Sequence, residues 1–393
     1  PCPVGASCVG AVTKMEIYAK FGYWQYNKTK YYPCLRPEAC RGAINTRYVD
    51  RFQEASVNSN ETCATDLGFR QGSRLCASCN HDFARGNGLG TCEKCEKATN
   101  TFIFVAGILF ASLATLVLVR ITVFKERKIN FSDGVKKILL SYLQTAILAK
   151  SMNVPWNRTF RELFRMQNII TSFSRAFFNL GCVLNTWSTW DIFILQFISI
   201  IILPGIIVPI AYVGIKGCRG GYDEFLATIV LLLYLMYPTI ITYFTELINC
   251  TELIGGERYL KLDPEVVCWD GEHLIMFCTG GIFVLVVYII GFPVLSLYTL
   301  GKTDLKLPVN RLRYGMLYDG YNDKFWFWEI TVIFRKLFII VIGAFVKDTQ
   351  QILCVLFILA TLGFLTAYKQ PFLSKELLHL ELGSLALAYF TFW

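Results

Sequence analysis

Four cysteines close a polar N-terminal stretch in the order Cys76-x2-Cys79-x12-Cys92-x2-Cys95, a spacing able to hold zinc between thiolates. Five more, Cys2, Cys8, Cys34, Cys40 and Cys63, precede them. The stretch also carries two glycosylation sequons, Asn27-Lys28-Thr29 and Asn60-Glu61-Thr62. Glycosylation belongs to an oxidising lumen, where such thiols close into disulfides. Bridges are therefore expected in preference to a metal, and no cofactor is expected. Nine is an odd number, so one cysteine pairs with residues before Pro1, pairs with another molecule or stays free.

A second group with chemical potential lies inside an apolar run at 326–346, which contains Glu329, Arg335 and Lys336. Ionisable residues within such a run are functional candidates by default. Glu329 and Lys336 stand seven residues apart, on one face of a helix. The expectation is that Arg335 and Lys336 snorkel to the inner interface with Glu329 in the cytoplasm; the alternative is a contact with a lipid headgroup or an ion path. Enzyme signatures are absent: no phosphate loop, nucleophile elbow or paired-His zinc motif occurs, and three histidines offer little for acid–base catalysis. No enzymatic activity is expected.

The elements that position these residues follow from composition. Hydrophobic residues make up 54% of the chain and charged residues 17%, a balance that makes the bilayer the solvent. Composition changes sharply near Asn100, which divides a Cys-rich glycosylated domain at 1–99 from a helical transmembrane domain at 100–393. The first has too few large aliphatic residues for a self-sufficient core, so cross-links must hold it.

Beyond residue 100, runs of about 17 to 25 apolar residues, the length needed to cross ~30 Å of hydrocarbon, fall at 101–123, 138–155, 190–215, 225–247, 274–300, 326–346 and 350–368. An incomplete eighth occupies 376–393. The expected fold class is an all-α polytopic bundle of seven complete spans plus a truncated eighth, with a small disulfide-rich ectodomain. The chain opens at Pro1 and closes at Trp393 within an apolar run, so a signal peptide before it and more chain after it are expected. The segment 161–184 is too polar to span and reads as an amphipathic helix packed as a connector.

Two signals orient the bundle. Lys125, Arg127, Lys128, Lys136 and Lys137 form one basic stretch and Lys302, Lys306, Arg311 and Arg313 another, and basic loops stay in the cytoplasm. The N-terminal domain is then outside, as are the segments 156–189 and 248–273. Those contain the sequons at Asn157 and Asn249, so glycosylation is expected at Asn27, Asn60, Asn157 and Asn249; the sequon at Asn130 lies in the most basic loop and should stay unmodified. Cys250 and Cys268 share one outer segment and are read as a closing bridge, while Cys182 has no evident mate. Cys278 and Cys354 are read as core packing. Among intramembrane polar groups, Gln144, Asp191, Gln196 and Glu246 suit helix–helix hydrogen bonds or interface positions.

The series Cys2-Pro3-Val4-Gly5-Ala6-Ser7-Cys8, Gly22-Tyr23-Trp24, Cys34 to Cys40, Cys63 and Leu75-Cys76-Ala77-Ser78-Cys79 to Cys92-Glu93-Lys94-Cys95 resembles the Cys-rich, ephrin-receptor-like or EGF-like modules of protist surface proteins. The helical part is similar to transient-receptor-potential-like and polycystin-like membrane regions in Tyr142-Leu143-Gln144, Pro155-Trp156, Arg313 to Tyr318 with Tyr321, and Phe327-Trp328-Glu329 leading to Arg335-Lys336-Leu337. That resemblance implies a cation channel. The sequence departs from it where a pore loop belongs, since only Lys347-Asp348-Thr349-Gln350 links the sixth and seventh runs.

The expected function is a channel-like cell-surface protein whose ectodomain binds or anchors an extracellular partner. A purely structural anchor or adhesion receptor, or a lipid transporter, are the alternatives. Expected partners are membrane lipids and an extracellular protein, matrix or filament reached through residues 1–99, with self-association into a homo-oligomer as a further option. No nucleic acid is expected, because the basic residues read as topology signals. The expected location is the plasma membrane, including its ciliary or flagellar extension.

Overall fold

Strands of two or three residues dominate the N-terminal region, too short to stand by themselves, and half-cystines supply what their ladders lack. In the computed structural model, β1 (Ala6–Ser7) pairs with β2 (Tyr18–Ala19), β3 (Tyr23–Gln25) with β4 (Tyr31–Pro33), and β5 (Phe83–Arg85) with β6 (Cys92–Lys94), all antiparallel. The structure describes residues 2–8, 17–27, 29–42, 62–85, 92–95, 131–150, 182, 184, 187–216, 221–251, 254–346 and 348–392. The expected run at 101–123 and, apart from 182 and 184, the connector at 161–184 lie outside them.

The helices follow in chain order: α1 (Phe131–Lys150), α2 (Thr189–Lys216), α3 (Tyr222–Ile248), α4 (Gly271–Met276), α5 (Gly291–Lys302), α6 (Pro308–Tyr318), α7 (Trp328–Phe345), α8 (Asp348–Lys369) and α9 (Lys375–Phe392). Two π-helical segments, Phe277–Gly281 and Val284–Ile290, lie between α4 and α5. The chain forms two compact units. One comprises Pro1–Gly107, Phe177–Gln196 and Leu247–Cys278; the other comprises Ile108–Ala176, Phe197–Glu246 and Thr279–Trp393. The first unit thus draws in two segments that lie well beyond residue 99.

Within the first unit, the core is built around the bridges themselves. Cys34, Ala39, Cys40, Cys63, Ala64, Phe69 and Cys76 are buried together, with Trp24 and Cys92 packed against them. Gly68 adopts a φ of +85°, and the ring of Phe83 fills the place a Cβ would take, so no larger residue fits there. The start of α2 is set by a reciprocal cap: Ser188 Oγ accepts the Asp191 N–H at 3.0 Å, and Asp191 Oδ2 accepts the Ser188 N–H at 3.2 Å.

In the second unit, α9 packs on α8 and α1, and α7 packs on α1, α8 and α6. Their shared apolar core includes Ile138, Trp328, Val332, Phe372, Leu377 and Leu378. The face of α7 opposite the core exposes Phe334, Phe338, Val341 and Phe345, while Glu329, Arg335 and Lys336 point inward and are buried. Apolar side chains outside and charges inside is the pattern of a helix whose solvent is lipid.

The protein is mostly helical with a disulfide-rich N-terminal region. Among the described residues three helices are long and apolar enough to cross a membrane, Tyr222–Ile248, Val284–Lys302 and Gln350–Lys369, and Thr189–Ile202 is a shorter apolar one. Seven and a truncated eighth were expected. For three of the runs the difference has a physical source: α7 carries Glu329, Arg335 and Lys336, α9 carries Lys375, Glu376 and Glu381, and α1 carries Asp133, Lys136 and Lys137; the run at 101–123 lies outside the described residues. Cys278 and Cys354, expected in the core, are exposed free thiols on helical segments.

Candidate functional site

Among the described residues six disulfides are present: Cys2–Cys8, Cys34–Cys40, Cys63–Cys76, Cys79–Cys92, Cys95–Cys182 and Cys250–Cys268. The four cysteines with zinc spacing are distributed over three different bridges. The odd cysteine of the N-terminal nine is Cys95, and its mate is Cys182, 87 positions on. Nothing in the local pattern pointed to that mate, because loop spacing carries no information about so distant a partner.

A second tie in the same unit is Arg74. Its backbone N–H donates to Glu265 Oε1 at 3.1 Å, its Nη1 donates to the Pro264 carbonyl at 2.8 Å, and its guanidinium lies 3.9 Å from the centre of the Tyr259 ring. Burial raises the Tyr259 phenol above its ordinary value, and the Glu257 carboxylate that accepts its hydrogen bond at 2.7 Å raises it further, against the pull of Arg74. Tyr32 Oη accepts the Gly255 N–H at 3.0 Å, so the β3–β4 hairpin grips the same later segment.

The sequons fall differently. Asn27 is exposed in a turn where its Oδ1 accepts the N–H groups of Thr29 and Lys30. Asn249 heads a segment in which Cys250 is bridged and the buried Thr251 hydroxyl accepts the Tyr259 N–H at 3.0 Å. Asn60 and Asn157 lie outside the described residues.

The helical unit holds its polar groups in one buried network. Glu329, at the start of α7, accepts from Lys137 Nζ on α1 at 2.7 Å, from Tyr234 Oη on α3 at 2.7 Å and from Tyr321 Oη at 2.9 Å. Arg335 Nη1 donates to Glu381 Oε1 on α9 at 3.0 Å, and its Nη2 donates to Ser141 Oγ on α1 at 2.9 Å. Lys336 Nζ donates to Gln144 Oε1 on α1 at 2.7 Å and to Tyr234 Oη at 3.3 Å. Three helices, α1, α3 and α9, and one turn therefore converge on three charged residues of α7.

The local sequence explains the convergence. The turn before α7 is pinned to the turn before α9, where Asn322 N–H donates to the Pro371 carbonyl at 2.8 Å and Tyr321 bridges to Phe372, which sets Tyr321 beside Glu329. On α1, Lys137, Ser141 and Gln144 recur at spacings of four and three, a polar stripe on one helical face.

Arg335 and Lys336 do not snorkel and Glu329 is not in water: the three residues are 4%, 1% and 1% exposed. The seven-residue spacing aligned Glu329 with Lys336, but the two share Tyr234 as a bridge and do not pair directly. The sequence reads Lys137 as a topology signal only and gives Tyr234, Tyr321 and Glu381 no distinguishing mark. The polar stripe on α1 was the signal available for Lys137.

Fold and sites define a helical, membrane-associated protein that carries a disulfide-rich domain. The chain is 31% identical over 133 residues to cysteine repeat modular protein A of Toxoplasma gondii. That match covers 31% of this chain and 4% of the relative, so the chain corresponds to a small part of the relative's length. No protein-family model matches the chain, and no solved structure matches it. The Cys-rich relative and the bridges together fit a Cys-rich ectodomain; the likeness to transient-receptor-potential-like or polycystin-like regions has no counterpart among these matches.

Proposed function

We propose that the chain belongs to a multi-pass cell-surface protein whose disulfide-rich unit binds or anchors an extracellular protein and whose helices hold that unit in the plasma membrane. The observation that carries this reading is the Cys95–Cys182 bridge, seconded by Arg74 on Pro264 and Glu265. Both tie the N-terminal Cys-rich region to later segments that lead into α2 and α4. A disulfide needs an oxidising compartment, so all three segments share the extracellular side. The spans proposed from sequence, with their inner basic loops, agree with that sidedness.

A Cys-rich unit cross-linked internally at several points keeps its shape under load, which suits anchoring or adhesion. Ion conduction has less support. Glu329, Arg335 and Lys336, the residues that a permeation path through α7 would use, are taken up by partners on α1, α3 and α9.

Gentle purification of the full-length protein from native membranes tests the proposal. A stoichiometric extracellular protein that is lost when Cys95 and Cys182 are both replaced by Ser supports anchoring. A protein that stays partner-free at the surface yet carries a selective current in proteoliposomes would overturn it in favour of a channel.

A further inference from the structure

The helical network contains three cationic side chains, Lys137, Arg335 and Lys336, and two carboxylates, Glu329 and Glu381. Arg335 has Glu381 and Lys137 has Glu329, each within ion-pair distance. Lys336 is the odd one. It is 1% exposed, and both of its hydrogen-bond acceptors, Gln144 Oε1 and Tyr234 Oη, are neutral. An ammonium in an apolar interior with no carboxylate in direct contact is disfavoured, Glu329 reaching it only through Tyr234, whereas a neutral amine keeps the same hydrogen bonds.

The groups around it form a continuous path. Lys336 Nζ is 3.3 Å from Tyr234 Oη, Tyr234 Oη is 2.7 Å from Glu329 Oε1, and Glu329 Oε2 is 2.7 Å from Lys137 Nζ. Lys137 is the member nearest solvent, with its side chain 9% exposed against 1% for Glu329, and it also donates to the Asp319 carbonyl at 3.3 Å. The other charged or titratable groups facing the path are Arg335 with Glu381, and Tyr321 on Glu329.

We infer that Lys336 is a proton-binding site inside the helical unit, loaded and unloaded through Tyr234 and Glu329 toward Lys137. On unloading, the N–H bond of the Lys336 ammonium breaks and its proton passes to Tyr234 Oη. The proton already on Tyr234 passes to Glu329 Oε1. Lys336 is left as a neutral amine, Tyr234 is again a neutral phenol, and Glu329 is a neutral acid until its proton leaves to water beside Lys137. The two end states differ in the charge of Lys336 at the junction of α1, α3 and α7, and Glu329 gives up its ion pair with Lys137 only while it carries the proton, so proton occupancy is coupled to how these helices pack.

The experiment uses the full-length protein in lipid nanodiscs, with tryptophan emission followed against pH; Trp328 sits beside Glu329 and is 7% exposed. The native protein is expected to pass between two emission plateaus. Lys336→Met, which never carries the charge, and Lys336→Arg, which never loses it, should each hold one plateau across the range. A native protein with pH-independent emission, or a Lys336→Met protein that keeps the native transition, overturns the inference. If either lysine variant fails to fold, Tyr234→Phe with pH-jump kinetics decides: relaxation slowed tenfold or more supports the path, and an unchanged rate overturns it.

Discussion

The hydroxyl of Tyr237 on α3 donates to the carbonyl of Ile289 at 3.0 Å. Four residues on stands Pro293, which has no N–H to offer that carbonyl. A second side-chain donor reaches the adjacent span in the same way, Tyr288 Oη to the Ile201 carbonyl at 3.2 Å. In lipid, a carbonyl freed by proline finds no water, so a neighbouring helix must satisfy it. Replacing Tyr237 by Phe is expected to destabilise the helical unit by about 1–2 kcal/mol, the worth of one buried hydrogen bond whose acceptor is left unpaired. Denaturant titration in detergent micelles measures it; an unchanged midpoint would mean that the carbonyl has another donor.

The Cys95–Cys182 bridge closes the longest disulfide loop, 87 residues. Chain-entropy reasoning assigns such a closure about 4–5 kcal/mol, against about 3 kcal/mol for the 13-residue loops of Cys63–Cys76 and Cys79–Cys92. Non-reducing peptide mapping should recover a peptide pair linking these two cysteines. Cys95→Ser should lower the thermal midpoint of the Cys-rich unit more than Cys79→Ser, unless the denatured chain is already constrained.

Removing one member of a buried ion pair leaves the other charge stranded. Glu381→Gln should therefore destabilise the helical unit by about 3–5 kcal/mol, because Arg335 loses its one carboxylate partner. The double variant Arg335→Met with Glu381→Leu removes both charges and should recover most of that loss. Unfolding midpoints of the three proteins check the prediction; a double variant as unstable as the single one would give the pair a role beyond charge compensation.

Asn27 is exposed in its turn, whereas Asn130, outside the described residues, lies in the most basic stretch of the sequence. Asn27→Gln is expected to remove one glycan, read as a faster-migrating band that enzymatic deglycosylation no longer shifts at that site. Asn130→Gln is expected to leave migration unchanged, and a glycan found at Asn130 would reverse the orientation assigned to the basic loops.

Much of the helical architecture was legible because lipid imposes a length and a composition on any segment that crosses it. The apolar runs that became α3, α5 and α8 and the anomaly of Glu329, Arg335 and Lys336 are all local signals. What each charged residue touches was not legible. Lys336 meets Gln144, 192 positions away, and Arg335 meets Glu381, 46 positions away. The snorkelling expectation failed for that reason: a single helix offers a buried lysine only the interface, while a bundle offers it acceptors on other helices.

The same division holds for the cysteines. Their number, the sequons and the scarcity of aliphatic residues determined that the N-terminal region is held by bridges, since a chain so composed has little else to bury. Which sulfur meets which was decided by tertiary structure alone. Cys95 and Cys182 stand 87 positions apart, and no spacing rule reaches that far along a chain. The composition of this sequence chose the solvent for each half of the chain; the packing of distant segments chose the partners within it.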